Sequence, residues 1–353
     1  MDPGSLPFSS SERPPRRALL KDRWRGVGMG GLKMNRLGYQ EVTALCAIVV
    51  VIMAFGAALN SAASAETLEE LCGACKVEVF VKGGKFLEGP TFDQAGNLWV
   101  VNIESGWVSK VMPDGKWSDE FNTGGQPQGL KFHKDGRLFG VDRKKGVFIY
   151  DPKTKKMSDY VLYYQNENFH GPNDLIFDRQ GGLYFTDPWG TSMANPRGAI
   201  YYVSPEGKTS RLMDNLAFPN GIALSGDEKI LYIGETMRNA IWSVQLEGPG
   251  ELLVRRARIS TYLNGGIGPD GLTLDEKGNV YVAHVDSGEV VVLTPKGKII
   301  GSIKLPEGGG TFNTNVAFGG PQRQTLYITE SSQNIIYRVA MKVRGLKLFG
   351  DKE

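Results

Sequence analysis

The sequence predicts an all-β fold, a six-bladed β-propeller with four-stranded blades. A short polar motif recurs along the chain at intervals of about 38 to 50 residues. Each copy is followed by short apolar strands that are separated by turns containing Gly, Pro or Asp. No stretch after residue 76 shows a sustained helical period. A repeat of this length and strand content, in a chain of 353 residues, is typical of a propeller that forms one long domain.

The repeated motif is a polar turn placed directly before an apolar strand. Its clear copies are Gly171-Pro172-Asn173-Asp174-Leu175, Phe218-Pro219-Asn220-Gly221-Ile222 and Gly268-Pro269-Asp270-Gly271-Leu272. Weaker copies are Leu87-Glu88-Gly89-Pro90, Gln126-Pro127-Gln128-Gly129 and Thr314-Asn315-Val316-Ala317. A Glu, Asn or Asp side chain lies at the same phase in most copies. Because the innermost strand of each blade lines a central channel, these side chains are expected to converge near one mouth of that channel.

Six units of about four strands each follow the N-terminal region. The alternating stretch Val77–Val81 is read as a strand at the start of the first unit, and the later units cover residues 126–170, 171–217, 218–267, 268–310 and 311–350. Most units carry an Asp-x-x-Gly-like turn between two apolar strands. The propeller is therefore expected over residues 85–350, with residues 66–84 as an N-terminal segment.

Residues 1–65 have the features of an export signal. Ala44–Leu59 is an apolar run that follows basic residues and precedes the small-residue cleavage site Ala63-Ser64-Ala65. The run is short for a membrane span, so a cleaved signal peptide is preferred over a retained anchor. Met34 would make a more usual start, with residues 1–33 as an upstream extension. We expect a periplasmic or secreted mature protein, cleaved near Ala65, with no membrane association afterwards.

The three cysteines divide between the signal and the mature chain. Cys46 lies in the apolar run, whereas Cys72 and Cys75 form a C-x-x-C pair at the start of the mature chain. A structural disulfide is the preferred interpretation in an oxidising compartment. A redox centre lacks its usual βαβ context, a zinc pair lacks two further ligands nearby, and a free dithiol is the remaining alternative.

The charge balance gives no indication of a nucleic-acid partner. Residues 1–65 hold eight Lys or Arg and four Asp or Glu, so the remainder carries 33 basic and 34 acidic side chains. A near-neutral body lacks the electrostatic footprint of a nucleic-acid-binding protein. The expected partner is a small molecule, and the expected assembly is a monomer or small homo-oligomer.

Four polar residues fall at equivalent or nearly equivalent phases: Glu88, Asn173, Asn220 and Asp270. Two carboxylates and two amide oxygens form the hard, oxygen-only donor set that suits Ca²⁺, Mg²⁺ or Mn²⁺. The simpler alternative is that Asn and Asp stabilise turns by bonding their own backbone. Four such residues at one phase favour a shared site for one divalent cation, with Ca²⁺ preferred and Mg²⁺, Mn²⁺ or Zn²⁺ as alternatives.

These residues resemble the SMP-30/gluconolactonase/LRE family, which includes regucalcin-type and Drp35-type lactonases. The resemblance covers about residues 85–345 and is strongest at Gly171-Pro172-Asn173-Asp174, Gly182–Asp187, Ala199–Pro205, Asn220–Ser225 and Gly268–Gly271. It implies a six-bladed propeller with one catalytic divalent cation in the channel. By motif, Glu88, Asn220 and Asp270 match the family's metal ligands, and Asn173 matches a substrate-contacting Asn.

Two departures from the family pattern concern substrate recognition. Regucalcin-type enzymes carry an Arg two residues before the Asn that matches Asn173, where this chain has Gly171. A substrate-contacting Glu of those enzymes falls near Thr191. The groups that bind an aldonolactone are therefore not evident, whereas the metal set is intact.

The implied reaction is metal-assisted hydrolysis of a cyclic ester. Asp270 is predicted to be both a ligand and the proton acceptor, with Asp174 as the alternative base or else an Asx-turn residue. Asn173, His170 and Trp189 are the candidate substrate-binding residues, and Trp189 has inter-blade packing as its alternative. His170 and His284 could also form a channel-rim dyad, but ordinary polar roles are preferred for both.

The predicted function is therefore a lactonase or related esterase. The main alternative is a non-catalytic propeller that binds a metabolite or partner and uses the cation structurally. A strictosidine-synthase-like propeller enzyme would share the fold, but the acidic metal set argues against it.

Overall fold

The computed structural model describes residues 66–352, and it confirms the six-bladed β-propeller with four-stranded blades. The signal peptide, its cleavage site, Cys46 and the Met34 start all lie outside the described residues. The strands of the first half are β1 (Val77–Lys82), β2 (Leu87–Phe92), β3 (Leu98–Asn102), β4 (Trp107–Val111), β5 (Trp117–Asn122), β6 (Pro127–Phe132), β7 (Leu138–Asp142), β8 (Gly146–Asp151), β9 (Lys156–Val161), β10 (Tyr163–Tyr164), β11 (Glu167–Asn168), β12 (Leu175–Phe177), β13 (Leu183–Asp187), β14 (Gly198–Val203) and β15 (Thr209–Leu216).

The second half continues the same pattern. Its strands are β16 (Pro219–Leu224), β17 (Ile230–Glu235), β18 (Ala240–Gly248), β19 (Glu251–Leu252), β20 (Arg258–Tyr262), β21 (Gly268–Leu274), β22 (Val280–Val285), β23 (Glu289–Leu293), β24 (Ile299–Lys304), β25 (Asn313–Gly319), β26 (Thr325–Glu330) and β27 (Ile335–Ala340). Within the described residues, helical structure is limited to α1 (Leu68–Cys72) and the 3₁₀ turns Thr236–Arg238, Val254–Arg256 and Pro321–Arg323. No helix in this part of the chain is long and apolar enough to cross a membrane.

Each blade is an antiparallel sheet, and in the first five blades the strands run outward in chain order. The sheets are β2-β3-β4-β5, β6-β7-β8-β9, β12-β13-β14-β15, β16-β17-β18-β20, β21-β22-β23-β24 and β25-β26-β27-β1. The first strand of each sheet contacts the first strand of the next, and β25 contacts β2. These six inner strands therefore close into a ring around a central channel.

The ring is closed by a strand from the other end of the chain. β1 pairs with β27 as the outer strand of the sixth blade, with Val77 opposite Val339 and Lys82 opposite Ile335. The interpretation of Val77–Val81 as part of the first unit was therefore wrong. Its alternating pattern indicates a half-buried strand, but local sequence carries no information about a partner more than 250 residues away.

The N-terminal helix docks against the same closure. A capping box joins Thr67 and Glu70 at the start of α1, and Leu71 is fully buried in the cluster formed by the fifth and sixth blades. Cys72 and Cys75 form a disulfide, which confirms the preferred interpretation of this pair.

The core lies between neighbouring blades. Second strands such as β3, β7 and β13 are buried along their whole length, because both faces of each sheet pack against another sheet. The expected turns also form: Asp178 Oδ1 accepts hydrogen bonds from the backbone NH groups of Gln180 and Gly182, and Asp275 makes the equivalent turn in the fifth blade.

The C-terminal segment lies across one end of the channel. Leu346 donates its backbone NH to the carbonyl of Leu274, and Phe349 packs against His133 and Phe177. Leu346, Leu348 and Asp351 line the space beneath the later residues of the inner strands. A molecule that reaches the channel is therefore expected to enter from the opposite mouth, where the inner strands begin.

Candidate active site

One polar side chain from each blade lies at the same position of the innermost strand. We call this set the polar ring: Glu88, Gln128, Asn173, Asn220, Asp270 and Thr314. All six residues are buried. Asn315, which directly follows Thr314, donates from Nδ2 to Glu88 Oε2 at 2.8 Å, and Asn173 Nδ2 donates to Gln128 Oε1 at 3.5 Å.

A β-bulge marks the polar ring in five of the six blades. The register of the innermost strand shifts between Glu88 and Thr91, and equivalent shifts occur in β6, β16, β21 and β25. In the third blade β12 begins only at Leu175, just after Asn173 and Asp174. Bulges redirect side chains and end regular pairing, so they turn this one position of each strand away from the sheet.

Small residues after the ring position allow the inner strands to approach one another. A Cβ on Gly129 would lie 2.8 Å from Asp174 Oδ1, and one on Gly271 would overlap the side-chain amide of Asn315. The Gly that follows Glu, Gln, Asn or Asp in four copies of the motif therefore has a packing role in addition to its role in the turn.

Hydroxyl groups of neighbouring strands hold the backbone of the ring. Thr186 Oγ1 donates to the carbonyl of Asn220 at 2.8 Å, and Thr236 Oγ1 donates to the carbonyl of Pro269 at 2.7 Å. These buried bonds link the third blade to the fourth and the fourth to the fifth. The ring residues are therefore positioned by rigid elements on both sides.

Three buried carboxyl groups lie near one lysine in the described part of the channel. Burial raises the pKa of Glu88 to about 7, with the charge of Asp174 adding to the increase. Burial, followed by the charges of Glu88 and Asp174, raises the pKa of Asp270 well above its usual range. Lys131 Nζ lies 3.8 Å from Asp174 Oδ1 and opposes this trend. One lysine beside three buried carboxylates leaves a site that favours a further cation.

The donor set fits a hard divalent cation. Asn220 Oδ1 is buried with no hydrogen-bond partner in the described part of the chain, although the amide nitrogen donates to Thr236 Oγ1. An unpaired buried carbonyl oxygen beside a carboxylate is costly unless a cation or another donor occupies the space before it. Residues 66–352 contain no group of three His, Cys, Asp or Glu placed to hold a metal ion. A site here therefore depends on amide oxygens as well as carboxylates.

Asp174 occupies the position after the ring, where four other blades have Gly and the sixth has Asn315. Its Oδ1 accepts a hydrogen bond from the backbone NH of Leu175, the next residue. Its Oδ2 accepts one from the backbone NH of Ile222 at 3.3 Å. Both oxygens thus have backbone partners, and burial raises the pKa of the carboxyl group. Asp174 therefore joins two inner strands and also lies close to Glu88 and Asp270.

The other predicted residues lie at the mouth. The backbone NH of His170 donates to Asp187 Oδ2 at 3.0 Å while its side chain is exposed. Trp189 is half-buried and meets Phe218 edge-on at a centroid distance of 5.2 Å. His284 is buried in the fifth blade, and no hydrogen bond joins it to His170 among the described residues. Roles in substrate binding remain predictions for His170 and Trp189.

Sequence reasoning overlooked three residues of this region. Gln128 stands at the ring position and Asn315 directly after it, both in weaker copies of the motif, and aligning all six copies on the strand residues that follow would have found them. Lys131 had no comparable signal, because it is a single cation within an apolar strand.

The chain matches a known family over most of its propeller. Residues 86–332 match the family described as SMP-30/Gluconolactonase/LRE-like region. The protein named lactonase drp35 from Staphylococcus haemolyticus is 36% identical over 280 residues, which cover 74% of this chain and 85% of that protein.

Solved structures show the same fold. A gluconolactonase from Xanthomonas campestris superposes with a TM-score of 0.68 at 23% identity and covers 78% of this chain and 92% of its own. A calcium-binding regucalcin from Agrobacterium tumefaciens has a TM-score of 0.65 at 23% identity and covers 76% of this chain and 94% of its own. At this level of identity these two structures support the fold alone.

Proposed function

We propose, because this chain belongs to the SMP-30/Gluconolactonase/LRE-like family, that it is a hydrolase that opens lactones with the help of one divalent cation. The observation that carries the proposal is the polar ring. It places two buried carboxylates and several amide oxygens, one of them unpaired, at a single level of the channel.

The residues that would hold the cation are Glu88, Asn220 and Asp270, with Asn173 facing the same level. Their oxygen donors favour Ca²⁺, with Mg²⁺, Mn²⁺ and Zn²⁺ as alternatives. A divalent cation in such a site polarises an ester carbonyl and stabilises the negative charge that develops on its oxygen.

The protein's own groups would position the ring ester and accept a proton. Asn173 and the rim residues His170 and Trp189 would orient the substrate. Asp270 is the better placed base, because its carboxylate lies in the ring whereas both oxygens of Asp174 already accept backbone hydrogen bonds. The proton of the attacking water passes to the carboxylate, and the water oxygen bonds to the carbonyl carbon. When the ester C–O bond breaks, the leaving alkoxide takes that proton from the carboxyl group, which gives a hydroxy acid.

We also propose that the mature protein works outside the cytoplasm. The Cys72–Cys75 disulfide supports an oxidising compartment, since such bonds are rare in reducing ones. The apolar run Ala44–Leu59, followed by Ala63-Ser64-Ala65, agrees with export. N-terminal sequencing of the protein recovered from the medium or periplasm tests this, and an intact Met1 on cytoplasmic protein would contradict it.

The function is tested by a lactone panel with purified protein and Ca²⁺, Mg²⁺, Mn²⁺ or Zn²⁺ in turn. Hydrolysis is expected to need a cation, and Glu88→Gln and Asp270→Asn should each lower kcat/KM by a factor of at least about 100. Asp114→Asn, which alters an exposed turn carboxylate, is the matched control and should be unchanged. Metal uptake without turnover of any lactone or ester would instead support a non-catalytic metabolite- or partner-binding propeller.

A further inference from the structure

Arg143 lies at the mouth of the channel, in the turn between β7 and β8. It follows Asp142, which pairs with Pro127 at the start of the second inner strand. Its guanidinium carbon lies 3.3 Å from the centroid of the Trp189 ring, so the planar cation rests on the indole face. Stacking of this kind fixes the plane of the guanidinium and leaves its N–H edges available to a ligand.

Gly171 makes room for this pair. A Cβ at this position would lie 2.5 Å from Trp189 Cδ1 and 2.8 Å from Arg143 Cγ, and the residue has a φ of +151°. Gly171 precedes Asn173 of the polar ring by two residues, a reach of about 7 Å along the chain. Arg143, from the neighbouring blade, thus occupies the space that a side chain at position 171 would take.

The guanidinium has no acidic partner within residues 66–352. No ion pair or side-chain hydrogen bond joins Arg143 to another described residue. Two buried carboxylates on the same blades already have backbone partners: Asp142 Oδ1 accepts from the NH of Gln126, and Asp187 Oδ1 accepts from the NH of Gly171 at 2.6 Å. The indole N–H of Trp189 also lacks an acceptor in this part of the chain, so packing rather than hydrogen bonding holds the platform.

From this arrangement we infer that Arg143 determines specificity by binding a carboxylate carried by the lactone, with Trp189 as its positioning residue. The inference rests on the proposed function. A guanidinium held flat presents parallel N–H groups that match the two oxygens of a carboxylate. A singly charged group suits this mouth better than a phosphate, because the channel beyond it already contains Glu88, Asp174 and Asp270.

The test compares two lactones that differ in one group. One is γ-butyrolactone with a carboxylate on its γ carbon, and the other is γ-valerolactone, which has a methyl group there. Arg143→Met should lower kcat/KM for the carboxylated lactone by about 10- to 100-fold, mainly through KM, and leave γ-valerolactone within about threefold. Arg143→Lys should retain part of the preference for the carboxylated lactone over γ-valerolactone. Lys144→Ala removes the adjacent exposed charge and should retain the whole preference.

Equal losses on both lactones, or no loss on either, would overturn the role of Arg143. If the wild-type protein opens neither lactone nor any other ester, the proposed function fails. In that case calorimetric titration with hydroxyglutarate, the ring-opened form of the carboxylated lactone, tests Arg143 separately. Weaker binding to Arg143→Met than to wild type and Lys144→Ala supports the anion site, and equal binding to all three excludes it.

Discussion

Asn220 shows how a single side chain can support both the fold and the site. Its amide nitrogen donates to Thr236 Oγ1 at 3.2 Å, which orients the group. Its Oδ1 is left buried without a partner in the described residues. A turn-stabilising Asn would use this oxygen to bond its own backbone, so the arrangement favours a ligand role over the simpler alternative.

His284 provides a pH test at the same scale. Its burial lowers the pKa of the imidazole below its ordinary value of 6.5. The unfolded chain therefore takes up a proton near that pH while the folded protein does not, so stability falls as pH decreases below about 6.5. The substitution His284→Gln should remove the contribution of this imidazole to the loss of stability at low pH. Urea unfolding from pH 8 to pH 5 measures it.

Above pH 7.5 the urea midpoints of the wild type and His284→Gln are expected to change in parallel, because His284 is neutral in both the folded and unfolded states. Curves that also remain parallel down to pH 5 would contradict the assigned direction of the pKa shift.

At the scale of elements, the inner strand combines three features that produce the site. The polar residue supplies a hydrogen-bonding side chain, the bulge turns it away from the sheet, and the following Gly allows the next strand to approach. Each feature contributes little alone, but together they explain why the motif is repeated rather than confined to one blade.

The closing strand β1 gives a prediction about stability. A chain that begins at Gly84 lacks β1 and leaves β27 as an exposed edge, with Phe80 and Val81 lost from the cluster that contains Ile336. We expect its free energy of unfolding to fall by about 3 to 6 kcal/mol, from the apolar burial that is lost. Urea denaturation measures this.

The matched control is a chain that begins at Lys76, which retains β1 but lacks α1 and the disulfide. It should unfold much closer to the full mature chain. Equal midpoints for the chains that begin at Lys76 and Gly84 would show that β1 does not close the ring in solution.

Sequence patterns predicted those parts of the molecule that repeat locally. Copies of one motif identified the blades, and the phase of Glu88, Asn173, Asn220 and Asp270 follows from that repeat. Features with a single occurrence were not predictable in this way. The partner of β1, the path of the C-terminal segment across the channel and the reach of Lys131 to Asp174 depend on long-range packing.

At the scale of the whole molecule, closure of the ring brings distant residues together. Glu88 and Asn315 are separated by 227 residues in the chain, yet their side chains are joined by a hydrogen bond of 2.8 Å. The C-terminal segment lines the far end of the channel, and Arg143, His170 and Trp189 lie at the open mouth. Within residues 66–352 the polar side chains therefore lie between a mouth that carries Arg143 and an end that the C-terminal segment lines.

Calcium titration into metal-stripped protein tests this convergence most directly. Calorimetry should show one Ca²⁺ bound per chain, and both Asn220→Ala and Asp270→Asn should weaken binding by at least about tenfold while circular dichroism shows an intact propeller. Absence of binding for Ca²⁺, Mg²⁺, Mn²⁺ and Zn²⁺ at millimolar concentration, or binding that neither substitution changes, would contradict a shared cation site in the channel.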